Sequence, residues 1–241
     1  MASGRGCARA RGAHMVYDFH SHTFLSDGVL SPIELIRRCI VNEYAALGIA
    51  DHASTSTMAR VIAEVAADCA LARDKWQFTA LPGIELTHVP AAAVHDLARE
   101  AKDLGAAYVV VHGETPVEPV EPGTNLAAVS CPQVDVLAHP GLLTAQEAEF
   151  AAENGVFIEL TAKDGHSLGN GRVVQTCLGT GARMIVNSDT HVPSQILTQE
   201  FAWRVARCSG LPEEKLAEVL IENPSTLVTR ALARLGVGEP G

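Results

Sequence analysis

No apolar run in this chain approaches the roughly 20 residues needed to cross a bilayer, which argues against a helical membrane protein and predicts a soluble one. Cysteine is present but unorganised. Cys7, Cys39, Cys69, Cys131, Cys177 and Cys208 include no Cys-x-x-Cys pair. Neither a disulfide framework nor a thiolate zinc site is expected, and a reducing cytoplasm is the expected location. Cations are short as well, with 18 Lys and Arg against 28 Asp and Glu, for a formal charge of −10. The first fourteen residues carry Arg5, Arg9 and Arg11 and no acid, so the remainder stands at −13. A body this acidic is a poor electrostatic partner for nucleic acid, and no nucleic-acid polymer is expected. The apolar core of a secretory signal is also missing from the start of the chain. Gly12-Ala13-His14 before Met15 looks like an expression-tag remnant. Residues 1–14 are therefore expected to be disordered, and 15–241 to form a single domain.

What is present is a strict alternation. Short β-type runs at Val16–Phe19, Ala45–Ala50, Phe78–Glu85, Ala107–His112, Val134–Ala138, Val156–Leu160 and Ala182–Asn187 are separated by helical patterns. Ser31-Pro32-Ile33-Glu34 opens the first helix with an N-cap serine, proline at the first helical position and glutamate two positions later. Other helices are read at Ala91–Leu104, at Thr144–Asn154 closed by Gly155, at Val173–Leu178 and at Pro212–Ile221. Such alternation predicts parallel strands with helical crossovers. A barrel and a doubly wound open sheet both remain possible on that ground alone. One stretch, Glu114 to Gly123, has proline at 116, 119 and 122 and reads as a stiff loop, either an ordered surface loop or a rim over a site.

The polar residues separate the two architectures. The strands end in turn at Asp18-Phe19-His20-Ser21-His22 (then Ser26-Asp27-Gly28), Asp51-His52, Gly83-Ile84-Glu85, His112-Gly113-Glu114, His139-Pro140-Gly141, Glu159 and Ser188-Asp189-Thr190-His191. Six of the ten histidines stand at strand ends, far more than chance placement gives. A barrel gathers all seven ends around one axis, whereas an open sheet spreads them, so the barrel is preferred. Side chains two apart on a strand point the same way, which gives His20-x-His22 and Asp189-x-His191 the bite of a metal chelate. So many imidazoles and carboxylates, if buried together, need compensating charge. Nitrogen and oxygen donors without thiolate suit Zn, Mn, Fe or Co, and their number implies two or three divalent ions.

In order along the chain, these motifs resemble the PHP (polymerase and histidinol phosphatase) family over Met15 to about Pro224. That resemblance implies a distorted seven-stranded (β/α)7 barrel and a metal-dependent phosphoesterase. It places His20, His22, Glu85 and Asp189 on one metal, Glu85, His112 and His139 on a second, and Asp27, His52 and His191 on a third. The implied chemistry is hydroxide attack on phosphorus at Zn, Mn or Fe, with Glu85 bridging two ions and the third ion, or an acid such as Asp27 or His191, assisting the leaving oxygen. A small phosphate ester is the expected substrate and partner, such as a histidinol-phosphate-like monoester or a nucleotide phosphate. Two other readings are a non-catalytic binding or assembly module and an amide or lactone hydrolase. The loop from Ala162 to Arg172 offers Lys163, His166 and Arg172 as substrate-binding cations. His88 is a further candidate for substrate contact, Asp18 and Asp51 are expected to orient neighbouring ligands, and the oligomeric state is left open.

Overall fold

The computed structural model describes residues 16–238, so the readings made for residues 1–14 lie outside the described residues. Among the described residues, eight strands, all paired in parallel, follow one another as β1 (Val16–Asp18), β2 (Tyr44–Ile49), β3 (His52–Ala53), β4 (Thr79–Leu86), β5 (Tyr108–His112), β6 (Val136–Ala138), β7 (Phe157–Thr161) and β8 (Met184–Asn187). The sheet runs β1-β2-β4-β5-β6-β7-β8, with the two-residue β3 paired to β4. A parallel bridge between Ser21 and Thr190, just past β1 and β8, brings the first and last strands together. The result is a nearly closed barrel of seven parallel strands, as the sequence predicts.

Just past the second predicted strand, Ala45–Ala50, the chain leaves the ladder and rejoins it as the separate two-residue β3. β2 pairs with β4 as far as Ile49 opposite Pro82. Pairing resumes with β3, where His52 stands opposite Glu85. The break lifts Asp51 out of the strand and delivers His52 beside Glu85.

Helices α1 (Pro32–Val41), α2 (Met58–Trp76), α3 (Val94–Asp103), α4 (Thr124–Val129), α5 (Ala145–Asn154), α6 (Asn170–Thr180), α7 (Gln199–Cys208) and α8 (Asn223–Leu235) cover the outside and one end. Ser31 caps α1 by accepting from Glu34 N at 3.3 Å. Thr144 and Glu147 form a reciprocal capping box on α5, which Gly155 closes at φ 69°. The predicted helix at Pro212–Ile221 instead comprises a 3₁₀ turn at Glu213–Lys215 and a π turn at Glu218–Glu222 that runs into α8.

Strand alternation decides what fills the barrel. Leu81, Gly83 and Glu85 of β4 share one face, as do Tyr108, Val110 and His112 of β5. Tyr17, Phe19, Leu81, Tyr108, Val110, Val136, Phe157 and Ile185 form one buried cluster, closed by Leu227, Val228, Ala231 and Leu232 of α8. Gly83 makes room for the Tyr108 ring, since a Cβ there would stand 2.2 Å from Tyr108 Cζ. The interior is therefore apolar through most of its depth. The same inward-facing rows turn polar at the C-terminal ends of the strands, where barrel sites are built.

Candidate metal centre

At that end, every residue expected to hold metal converges on one mouth. His20 Nε2 lies 3.1 Å from Glu85 Oε1 and 3.9 Å from Asp189 Oδ1, while His22 Nε2 lies 3.2 Å from Asp189 Oδ1. His139 Nε2 is 3.9 Å from both Glu85 Oε1 and Asp189 Oδ2. Asp27 sits between His52 and His191, with contacts of 3.5 and 3.2 Å. His52 reaches in two directions, because its Nδ1 also lies 2.5 Å from Glu85 Oε2. His112 lies beside His139, ring centroids 4.4 Å apart, but its Nε2 faces Glu118 rather than Glu85.

Several loops are pinned to achieve this. Asp51 accepts from Thr23 N, Thr23 Oγ1 and Ser26 Oγ, which fixes the turn that carries Asp27. Gly28 belongs to the same turn, and a Cβ there would stand 2.4 Å from His22 O. Asp18 accepts from His20 N and from the backbone and hydroxyl of Ser188, tying the first and last strand ends together. Glu159 accepts from His20 Nδ1 at 2.8 Å and from Asn187 Nδ2 at 2.9 Å, so it aims His20 Nε2 at Glu85. His139 and Asp189 adopt left-handed backbone at φ 27° and 55°. Strain of this kind in non-glycine residues clusters at functional sites.

The electrostatics suit a cation. Burial opposes ionisation of Glu85, yet His20 and His52 hold its carboxyl well below the usual range. Asp27 is held low by His191 and His52 against the cost of its burial. Burial pushes His22 down to about 4 and, with His112 and His20 nearby, holds His139 well below its ordinary value. Against the cost of burial, Glu159 and Glu85 hold His20 well above its ordinary value, and Glu85 and Asp27 push His52 up to about 10. His22 and His139 already have the neutral form that metal binding requires, while His20 and His52 would release a proton on binding an ion. Buried polar atoms supply the sharper test. His20 Nε2, both ring nitrogens of His22 and of His139, Glu85 Oε1 and His112 Nδ1 lack a well-aligned hydrogen bond. Such atoms are costly unless something satisfies them. Within the cluster, His22, Asp27, His52 and His191 offer ligand atoms mutually within 4.8 Å, and so do His20, His22 and Glu85. The donor set fits divalent metal ions.

The three expected substrate-binding cations separate. Lys163 Nζ reaches the centre, 2.6 Å from His191 Nδ1 and 3.4 Å from Asp189 Oδ1. His166 is buried against His139, ring centroids 4.4 Å apart. Arg172 Nε donates to Leu143 O, an anchor from α6 to the preceding loop. His88 stands beside His112, ring centroids 5.0 Å apart.

Sequence reasoning did not single out Glu118. It comes from the proline-rich loop and lies within 3.3 Å of three imidazole nitrogens. The available signal was an acid flanked by prolines just after a ligand-bearing strand. Asn187 and Thr87 were also missed. Thr87 Oγ1 donates to Glu85 Oε2 at 3.0 Å from two residues along the chain and lies 2.7 Å from His52 Nδ1, a contact that depends on β3 pairing with β4.

No family model matches the chain. It is 41% identical over 217 residues to the uncharacterized protein MJ1295 of Methanocaldococcus jannaschii, covering 90% of this chain and 100% of that one. A local stretch of 75 residues is 33% identical to the 5'-3' exoribonuclease Rnm of Escherichia coli, covering 31% of this chain and 24% of that protein. Among solved structures, a chain in archaeal ribonuclease P with mature tRNA superposes with a TM-score of 0.67 at 17% identity, covering 93% of this chain and 96% of that one. A probable 2-pyrone-4,6-dicarboxylic acid hydrolase of Acinetobacter baumannii matches with a TM-score of 0.57 at 11% identity, covering 89% and 99%. The expectation that excluded nucleic acid is corrected by the ribonuclease P match, which places this fold in an assembly with tRNA. The physical error was to let net charge stand for the whole surface, since a local site or a partner subunit can supply what the average charge lacks. Among the described residues, no helix is long and apolar enough to cross a membrane.

Proposed function

We propose that this chain, which belongs to one family with the uncharacterized protein MJ1295 of Methanocaldococcus jannaschii, is a metal-dependent hydrolase of phosphoester bonds of the PHP type. The observation that carries the reading is the convergence of nine nitrogen- and oxygen-bearing side chains, several buried without hydrogen bonds, at the C-terminal mouth of a parallel barrel.

In this reading His20, His22, Glu85 and Asp189 hold one ion, Glu85, His112 and His139 a second, and Asp27, His52 and His191 a third. Ions so held supply Lewis-acid neutralisation of the charge that grows on phosphoryl oxygens and a nucleophilic water near neutral pH. The remaining work falls to the protein. Lys163, at the rim against Asp189 and His191, adds a positive charge where a phosphate would enter. The departing oxygen would be met by the third ion or, where that ion is absent, by His191, which contacts the ionised Asp27 at 3.2 Å and is partly open to solvent. Glu159 and Asn187 hold His20 in place without reaching the substrate.

For the substrate class, we infer a phosphoester of a nucleotide or a nucleic-acid strand. Supporting this are the local likeness to an exoribonuclease and the fold shared with a chain of ribonuclease P. A second reading is lactone or amide hydrolysis at the same centre, favoured by the fold shared with the probable pyrone-dicarboxylate hydrolase. Loading the protein with Mn or Zn and assaying 5'-phosphorylated oligoribonucleotides, nucleotides, aryl phosphates, lactones and dipeptides distinguishes them. Turnover of phosphoesters supports the proposal, and turnover confined to lactones or dipeptides overturns it.

A further inference from the structure

Glu118 is presented to the site by a loop whose other acids are already engaged. Glu114 Oε1 accepts from Gly123 N at 2.9 Å and Asn125 N at 3.0 Å, and Glu121 Oε2 accepts from Ala91 N at 2.8 Å. These bonds tie down both ends of a segment stiffened by Pro116, Pro119 and Pro122. The one acid between them turns inward. Its Oε2 lies 3.0 Å from His88 Nε2 and 3.3 Å from His112 Nε2, and its Oε1 lies 3.3 Å from His166 Nε2.

Three features mark this as more than a chance contact. The distances match those among the expected ligands, such as 3.1 Å from His20 to Glu85 and 3.2 Å from His22 to Asp189. Ligand atoms of His88, His112 and Glu118 all lie within 4.8 Å of one another. His88 adopts a left-handed backbone at φ 51°, and His166 is buried with its Nδ1 unpartnered. A strained non-glycine residue persists only where its surroundings hold it.

We propose that His88, Glu118 and His112 hold a further divalent cation at the outer edge of the mouth, with His166 bracing the second carboxylate oxygen. Nε2 of His112 faces Glu118 and its Nδ1 has no hydrogen-bond partner, so holding an ion on each side would require the ring to lose its remaining proton to solvent and bridge as an imidazolate. Imidazole and carboxylate donors without sulfur suit Zn, Co or Mn. Partial exposure of Glu118 and His88 leaves room for a water or a substrate oxygen as the remaining ligand.

The test is metal stoichiometry, measured by elemental analysis after equilibration with Zn or Co, for wild type, Glu118→Gln, His88→Gln and Asp189→Asn. Both Glu118 and His88 are partly exposed, so their variants keep the fold, checked by metal-free thermal melting. The expected result is one equivalent fewer in Glu118→Gln and in His88→Gln, with the inner ions retained. Uptake unchanged in either variant, or no uptake by wild type, overturns the outer site. The inner reading fails separately, if Asp189→Asn binds as much metal as wild type while the two outer variants each lose an ion.

Discussion

His20 on the loop after β1 and Glu159 on β7 are joined by a 2.8 Å hydrogen bond although 139 residues separate them. The carboxylate takes Nδ1, which leaves Nε2 pointing at Glu85. Outer partners that fix the ring of a ligating histidine are typically worth about 10–100-fold in metal affinity. Glu159→Gln should therefore weaken metal binding by about that factor with little change in fold, as measured by competition with a chelating dye. Unchanged affinity would remove Glu159 from the positioning role.

Bound ions should stabilise the protein. A ligand present at about 100 times its Kd adds about 2.7 kcal/mol per independent site. Chelator treatment should lower the midpoint of thermal unfolding by several degrees, and returning Mn or Zn should restore it. A melting curve indifferent to chelator would mean that no ion is held in the folded state.

The barrel interior makes a prediction independent of function. Tyr108 is fully buried and its hydroxyl has no hydrogen-bond partner, while a Cβ at Gly83 would stand 2.2 Å from its ring. Gly83→Ala should cost about 1–3 kcal/mol through overpacking. Tyr108→Phe should be neutral or stabilising, because it removes an unsatisfied buried group. Urea denaturation compares the two directly. Loss of stability in Tyr108→Phe would show that the hydroxyl is satisfied in solution.

Lys163 supplies the cation that reaches the centre from the β7 side. Lys163→Ala should lower kcat/KM on a phosphoester by about 10–1,000-fold, the range for loss of a preorganised charge-stabilising group. Metal content should be unchanged. Equal loss on a neutral ester would assign Lys163 to holding Asp189 and His191 rather than to phosphate.

The polar strand ends were legible because each parallel strand reads as a short apolar run ending in a polar residue. Asp27, His139 and Asp189 could be placed at the mouth without any knowledge of packing. The separate strand β3 was not legible, since it depends on where His52 and Ala53 pair with β4 across the sheet. The helices α2, α4, α7 and α8 were not delimited. The burial stripe of α2 at Met58, Val61, Ile62, Val65, Cys69 and Ala72 is spread along 19 residues rich in alanine, which blurs the boundary between its faces. Glu118 was hidden for a different reason. A loop has no period, so the direction of Glu118 follows from tertiary hydrogen bonds at Glu114 and Glu121. Net charge misled on nucleic acid because it averages over a surface.

The most direct measurement is the hydrolysis rate of a 5'-phosphorylated oligoribonucleotide by Mn-loaded protein, with metal-free protein and Mn-loaded His112→Ala measured alongside. The proposal predicts turnover by the loaded protein that falls to near background in both controls, while circular dichroism shows the same fold in all three. Turnover that survives metal removal and the loss of His112 would contradict a metal-dependent phosphoesterase.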